Sequence, residues 1–377
     1  MRACEDRRMS ERVPFVVIGG GVMGLSTAWA LARRGERPVV LERFASGHTF
    51  GASHGATRNF NNAYADDHYL DLLARAREGW NALGTPGGEP LLRLHGLVSH
   101  GGGAALGSTG AGLVAIHAQL RNRGIPADLL EGAEASRRWA GMKFEDTVLF
   151  STDAGVVRAS VALEELERRT VAAGGEVRWR TPVVHFEEDA DGVTVHTAEG
   201  TIRAETVVVT IGAWTTATLS GIPLPPIRVT EESPAHFIQR DLDKAWPSFN
   251  HFVAPGTWPA NVYGMPTPGE GVKVGFHTVG DVVDPDARPF RTDKLADVLA
   301  EYVREWMPGL DAETAAPISC TYTSTPDEAF VLDRVGRIVV GAGFSGQGFK
   351  FAPGVGAVLA DLALDPDARA AEAFRLR

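Results

Sequence analysis

The sequence predicts an α/β protein made of two interleaved domains. One is a Rossmann-type domain on a parallel sheet, and the other is an antiparallel-sheet (α+β) domain. Both are discontinuous. Three observations carry this expectation. Residues 14–42 read strand, glycine turn, helix, strand. Apolar runs of the same buried kind return in mid-chain at 207–211 and near the end at 336–364. Between them lie proline-rich stretches with strand alternation, above all over 222–323. The nucleotide domain is accordingly expected over 12–85, 151–215 and 326–377, and the second domain over 86–150 and 216–325, with 1–11 a polar, disordered lead.

The first element is the apolar run 15–18, a short buried strand. Gly19-x-Gly21-x-x-Gly24 follows, and then Leu25, Ala28, Trp29, Leu31 and Ala32 recur at helical spacing. Gly35 ends the helix, and 38–41 gives a second strand that closes on Glu42. Gly19 allows the tight turn, Gly21 lets a pyrophosphate reach the backbone, and Gly24 lets helix and strand pack closely. The helix N-terminus offers free N–H groups and the positive end of a dipole. Glu42, 23 residues beyond Gly19, stands where an acid accepts hydrogen bonds from ribose hydroxyls. A dinucleotide site follows from this context, although the motif alone does not separate FAD from NAD.

Beyond Glu42, residues 43–66 are polar and rich in Gly, Ser, Asn and His. They form either a surface loop or a ligand-lining one. Helices are expected near 69–83, 114–123, 131–139, 160–173 and 293–305; residues 86–113 are glycine-rich, with a flexible excursion over 99–112. Residues 176–214 alternate strands and hairpin turns, and 207–211 pairs naturally with the first strand.

The chain has 377 residues, 44% hydrophobic and 22% charged, which suits a globular core. A net charge of −10 without blocks of like charge argues against nucleic-acid or anionic-membrane partners. No apolar run reaches a membrane span, and the lead lacks the apolar centre of a signal peptide. The two cysteines, Cys4 and Cys320, fit a reducing compartment, so a cytoplasmic location is expected. Met9 is a candidate start, which would leave 1–8 outside the natural chain. No metal is expected.

Nine marks occur in one order: "VVIGGGVMGLSTAWALARRG", "GASHGATR", "DLLEG", "DAGVVRAS", "VVVTIGAW", "VYGMP", "GVKVGFH", "CTYTSTPDEAFVLD" and "GFSGQGFKFAPGVG". In them the chain resembles, over nearly its whole length, the monomeric sarcosine oxidase group of FAD-dependent amine oxidases, within the D-amino-acid-oxidase superfamily. The resemblance implies a monomer that binds FAD, takes a small amine as substrate and uses O2. A hydride equivalent would leave the carbon next to nitrogen for flavin N5, giving an imine, and reoxidation would release hydrogen peroxide.

The same likeness implies residue roles. Cys320, in Cys-x-Tyr-Thr before Asp327-Glu328, would tether the flavin; the bland alternative is an inert packed cysteine. Lys273 matches the oxygen-activating lysine, whose charge would stabilise electrons moving to oxygen; the alternative is a solvated strand lysine. His277 matches an active-site histidine, and Tyr263 and Tyr322 match substrate-pocket aromatics. Lys350 matches the lysine that pairs with a substrate carboxylate. Arg58 and His54 match residues beside the flavin ring. Further cofactor contacts are implied at Arg43, Thr57, Val183, Gly212, Trp214, Gly343, Gly346, Gly348 and Phe349.

The pattern breaks in the substrate pocket. Asn61 stands where the family has a second carboxylate-binding cation, an arginine. Asn250 stands near a methionine position, and Gln347 replaces a histidine. The redox residues are kept while the recognition residues change. The expected substrate is therefore an amine other than sarcosine: one without a free α-carboxylate, or a larger or cyclic one facing Asn61 and Asn250. Rival readings are a dehydrogenase that passes electrons to another acceptor and a flavoprotein without turnover. An NAD-dependent dehydrogenase leaves Cys320 and the C-terminal glycine loop unexplained.

Overall fold

The computed structural model describes residues 11–103, 111–219 and 221–376. Its first sheet has eight strands. Five run parallel, in the spatial order Glu176–Arg178, Pro38–Leu41, Glu11–Ile18, Gly200–Val209 and Ile338–Ala342. Gly200–Val209 is long enough to serve two neighbours along one edge. Residues 200–204 pair with the antiparallel hairpin strand Gly192–Thr197, and 207–209 pair with Ile338–Ala342. Val16, Val17, Val207, Val208, Val339 and Val340 are all wholly buried. A parallel sheet covered on both faces requires such unbroken apolar runs. Helices Val22–Ala32 and Ala352–Leu364 pack against one another over this sheet.

A second eight-stranded sheet runs Leu310–Pro317, Ala235–Gln239, Gly271–Phe276, Val262–Thr267, Ser248–His251, Leu97–His100, Thr147–Ser151 and Asp128–Glu131. Its pairings are antiparallel except Ser248–His251 with Leu97–His100. Strand alternation divides its residues between two faces. Phe249, Val262, Val272, Val274 and Phe276 are buried in one apolar cluster with Leu299, Tyr302 and Val303 of helix Ala296–Trp306. Asn250, Tyr263, Met265 and Lys273 fall on the alternate positions and line a cavity. Asn250 is the register partner of Tyr263, and Met265 of Lys273, so the four stand as neighbouring cross-strand pairs.

Two three-stranded sheets complete the frame. One joins Asp281–Val282, Arg228–Glu232 and Cys320–Ser324; the other joins Thr57–Phe60, Gly155–Arg158 and Leu92–Leu94.

The expected helices lie at Asp67–Ala82, Leu113–Asn122, Gly132–Arg138, Ala159–Ala172 and Ala296–Trp306, each within a few residues of its sequence-based span. Two expectations change. Glu11, placed in the polar lead, opens the first strand opposite Ile202, while residues 1–10 lie outside the described residues. The glycine-rich stretch 86–113 contains the strands Leu92–Leu94 and Leu97–His100, which take their order from sheet pairing with Gly155–Arg158 and Thr147–Ser151. Its residues 104–110 lie outside the described residues. Among the described residues no helix is long and apolar enough to cross a membrane.

Candidate active site

A cavity of about 600 Å³ runs from the glycine turn of the first sheet to the open face of the second. That volume is in the usual range for small-molecule sites, roughly 300–1,000 Å³.

At the first end the chain turns sharply after Ile18. Gly19 adopts φ +105°, and a Cβ on Gly24 would lie 1.8 Å from the Gly19 carbonyl oxygen. Helix Val22–Ala32 can start here only because Gly24 has no side chain. Glu42 is 7% exposed, and its carboxylate accepts the N–H of Gly20 at 2.6 Å and of Phe44 at 2.8 Å. His48 stands 3.7 Å from it. Ser53 Oγ accepts the Val22 N–H at 3.0 Å, which ties the polar loop 43–56 to the helix start. Residues of this loop line the cavity.

Midway, Arg58 donates to the carbonyls of Thr57 and Ala52, each at 2.9 Å, and its guanidinium lies 5.7 Å from the Phe349 ring. His54 faces the cavity with Nε2 buried and unpartnered. Burial, and then the nearby Arg58 charge, push its pKa down to about 4, so the ring is neutral. Cys320 opens the strand Cys320–Ser324, is half-buried, is a free thiol and lines the same wall.

At the inner end, Tyr322 and Tyr263 place their hydroxyls 3.2 Å apart. The His277 ring lies 5.3 Å from that of Tyr322, with its Nε2 buried and unpartnered; burial holds its pKa at about 4. Lys273 is 4% exposed and donates to the Thr57 carbonyl at 3.4 Å. Burial first, then Arg58, lower its pKa to about 7. Lys350 is 5% exposed and donates to the Gln347 carbonyl at 2.9 Å, and burial alone lowers its pKa to about 7. Neither lysine has a carboxylate partner among the described residues. The cavity is also lined by Glu164 and by two carboxylates near the glycine turn: Glu42 beside Gly20, and Glu167, which accepts from Trp179 Nε1, whose ring borders Gly20.

The cavity also gathers Gly21, Arg43, Asn61, Val183, Gly212, Trp214, Gly346, Gly348 and Phe349. Three residues expected to touch a cofactor do not line it. Thr57 turns its hydroxyl away to Thr267 Oγ1, 2.7 Å off, and contributes only its carbonyl to Lys273. Gly343 makes the turn after Ile338–Ala342 at φ +65°, where a Cβ would strike Thr325. Gly24 acts by close packing, as described above. Sequence reasoning misses Gly20, His48, Ser53, Tyr64 and Thr210, all of which line the cavity. Only the glycine run signalled Gly20; the others carry no spacing that marks them.

A glycine cradle with an oriented carboxylate suits a dinucleotide, and a cation-bearing, carboxylate-free inner chamber suits a redox ring with its substrate. Together they define a flavin-dependent oxidoreductase. The chain belongs to the FAD dependent oxidoreductase family, whose model matches residues 15–362, and within it to the monomeric sarcosine oxidase group. It is 33% identical over 376 residues to the monomeric sarcosine oxidase of Bacillus sp. (strain NS-129), with 94% of each chain covered. It is 34% identical over 370 residues to the peroxisomal sarcosine oxidase of Homo sapiens, covering 93% of this chain and 91% of that one. Among solved structures, NikD in its open form, an unusual amino acid oxidase essential for nikkomycin biosynthesis, matches with TM-score 0.83 and 27% identity over 95% of each chain. The L-proline dehydrogenase of P. horikoshii matches with TM-score 0.79 at 21% identity, over 94% of each chain, a likeness of fold.

Proposed function

We propose that the protein oxidises the carbon next to the nitrogen of a small secondary or cyclic amine, with FAD as first electron acceptor and O2 as the second. The observation that carries this reading is Lys273, a buried lysine on the cavity wall with no carboxylate partner among the described residues. Burial of an unpaired cation is costly and persists where it serves a charge that forms during reaction.

Bound FAD would supply the acceptor for the hydride equivalent from the α-carbon and the route for its electron pair to oxygen. Gly19, Gly20, Gly21 and Glu42 would hold its dinucleotide part, and Cys320 would tether it covalently. Residues 12–85, 151–215 and 326–377 would form the cofactor domain, and 86–150 and 216–325 the substrate domain. Lys350 binds the polar end of the substrate. Tyr263, Tyr322 and His277 wall the chamber, and the low pKa of His277 keeps it from adding charge near neutral pH. Lys273 and Arg58 supply positive potential where negative charge grows on oxygen. The protein would work as a monomer in the cytoplasm.

The test is peroxide release from the flavin-loaded protein across N-methyl amino acids, cyclic imino acids and other secondary amines. Turnover with peroxide in step with substrate loss supports the reading. Flavin reduction that air does not reverse points instead to a dehydrogenase.

A further inference from the structure

A pair of ionisable residues beside Lys273 takes no part in the chemistry above. His236 is the register partner of Lys273 where Ala235–Gln239 pairs with Gly271–Phe276. Directly opposed residues of an antiparallel pair share a face, with Cβ atoms about 4.5–5.5 Å apart. Lys273 lines the cavity, whereas His236 is buried and does not. The imidazole therefore stands next to the lysine on the protein side of the cavity wall. Its Nε2 is buried without an aligned hydrogen bond and lies 3.1 Å from Oε2 of Glu270. Glu270 sits in the turn before Gly271–Phe276, where its N–H donates to the Thr267 carbonyl at 3.0 Å. Its side chain is 46% exposed. The order from inside to outside is cavity, Lys273, His236, Glu270, solvent.

The one hydrogen bond of Lys273 offers no path for a proton, because the Thr57 carbonyl accepts but has no proton to pass on. A neutral imidazole does have one: it accepts on one nitrogen and gives up from the other. His236 is in that form near neutral pH, since burial, then the charges of Lys273 and Arg58, lower its pKa to about 4. Around Lys273 itself, burial and then Arg58 oppose the charged form, while Cys320 and then Glu270 favour it. The Glu270 carboxylate at the outer edge of the ring draws positive charge along the same line.

We propose that His236 and Glu270 form a proton route through the protein side of the wall, by which Lys273 exchanges protons with solvent while the cavity is occupied. Its use rests on the amine-oxidising reading above. Oxygen there gains two electrons and two protons as it becomes hydrogen peroxide. The electron pair and one hydrogen come from the amine carbon by way of the cofactor. The second proton comes from Lys273, whose N–H bond breaks as the O–H bond forms. The lysine regains a proton from the His236 ring, and the ring regains one from solvent at Glu270. The amine nitrogen releases one proton when the imine forms, so the cycle balances without a further reactant.

The test reads proton exchange directly and needs no turnover. The chain holds five lysines, at 143, 244, 273, 294 and 350, so NMR of the flavin-loaded protein with isotope-labelled lysine gives few side-chain signals. Lys273→Met assigns that of Lys273. The exchange of its ammonium protons with water is measured at about pH 6, below its midpoint of about 7. His236→Gln should slow that exchange by about 10²-fold, the low end of what a positioned acid–base group supplies. Glu270→Gln should slow it as well, and it decides the matter if the His236 variant does not hold flavin. Lys350, on which burial alone acts, is the control and should keep its rate in both variants. The Lys273 midpoint should also stay in place in His236→Gln, because the ring it loses is uncharged there. Unchanged Lys273 exchange in either flavin-holding variant overturns the proposal, as does slowing that Lys350 shares equally. A shifted midpoint with unchanged exchange makes the pair a setter of charge and overturns the route too. If the variants slow exchange while no amine reduces the flavin, amine oxidation fails and the route stands; amine turnover with exchange untouched removes the route alone.

Discussion

Lys273 Nζ lies 3.4 Å from the carbonyl oxygen of Thr57, a neighbour from a different sheet, and this is its one hydrogen bond among the described residues. A long contact to one neutral carbonyl does little to offset the burial of an ammonium. The pKa of about 7 follows, with burial as the larger cause and Arg58 as the second. The charged form dominates below that value and the neutral form above it. The reaction of reduced enzyme with oxygen should therefore slow as pH rises through about 7. Stopped-flow reoxidation between pH 5 and pH 9, about two units on either side of that midpoint, checks this. A rate flat across the range would remove Lys273 from the oxygen step.

Cys320→Ala tests the tether. Acid precipitation of the parent should keep the yellow colour in the pellet, and the same treatment of the variant should release it. Colour lost from the parent returns Cys320 to the role of a packed thiol.

Glu42 holds the N–H groups of Gly20 and Phe44, so Glu42→Ala leaves two buried or half-buried donors unsatisfied at the cradle. Removing hydrogen bonds to a charged acceptor costs roughly 1.5–3 kcal/mol each. Flavin affinity should fall at least about 10-fold, measured by fluorescence of free flavin against protein concentration in the Cys320→Ala background. Unchanged affinity would show that the carboxylate does not serve the cofactor.

Gly24→Ala should be worse than an ordinary core change. The added Cβ would sit 1.8 Å from the Gly19 oxygen, and backbone cannot swing aside as a side chain can. Overpacking of this kind costs about 1–3 kcal/mol or more. A lowered Tm together with poor flavin retention is expected, and parent-like values of both would contradict the packing role.

The pocket signals were legible where chemistry is tied to spacing. The glycine turn and Glu42 are fixed by one strand–turn–helix unit. Lys273 and Tyr263 reach the cavity because strand alternation sends them opposite to Val272, Val274 and Val262. Tyr64 and Ser53 lay hidden, since each reaches its partner across the fold: Tyr64 to Gln347, and Ser53 to the start of a helix 31 residues earlier. Thr57 shows the opposite failure. A motif match gives its place in the chain, yet the strand it belongs to turns its hydroxyl toward Thr267. The strands in the glycine-rich stretch escaped because their order comes from pairing with distant segments and not from their own composition.

Acid should destabilise the protein by a mechanism separate from catalysis. His54, His95, His236 and His277 are held neutral by burial, each with its pKa lowered from 6.5 to about 4. Between those values the unfolded chain binds protons that the folded chain does not, so stability is present above 6.5 and is lost as pH falls toward 4. Thermal unfolding followed from pH 7 to pH 4.5 should show Tm falling by several degrees within that window. A Tm that holds steady would mean these rings are not buried neutral.

The most direct test of oxygen-dependent amine oxidation compares the parent with Lys273→Met after anaerobic reduction by an amine substrate, each then mixed with oxygen. The parent should reoxidise rapidly and yield peroxide. Lys273→Met should still be reduced by the amine but reoxidise more slowly by about 10²–10³-fold, the scale of losing one preorganised charge at a reacting oxygen. Equal reoxidation of both proteins, or a parent that stays reduced in air, would contradict an oxidase built around Lys273.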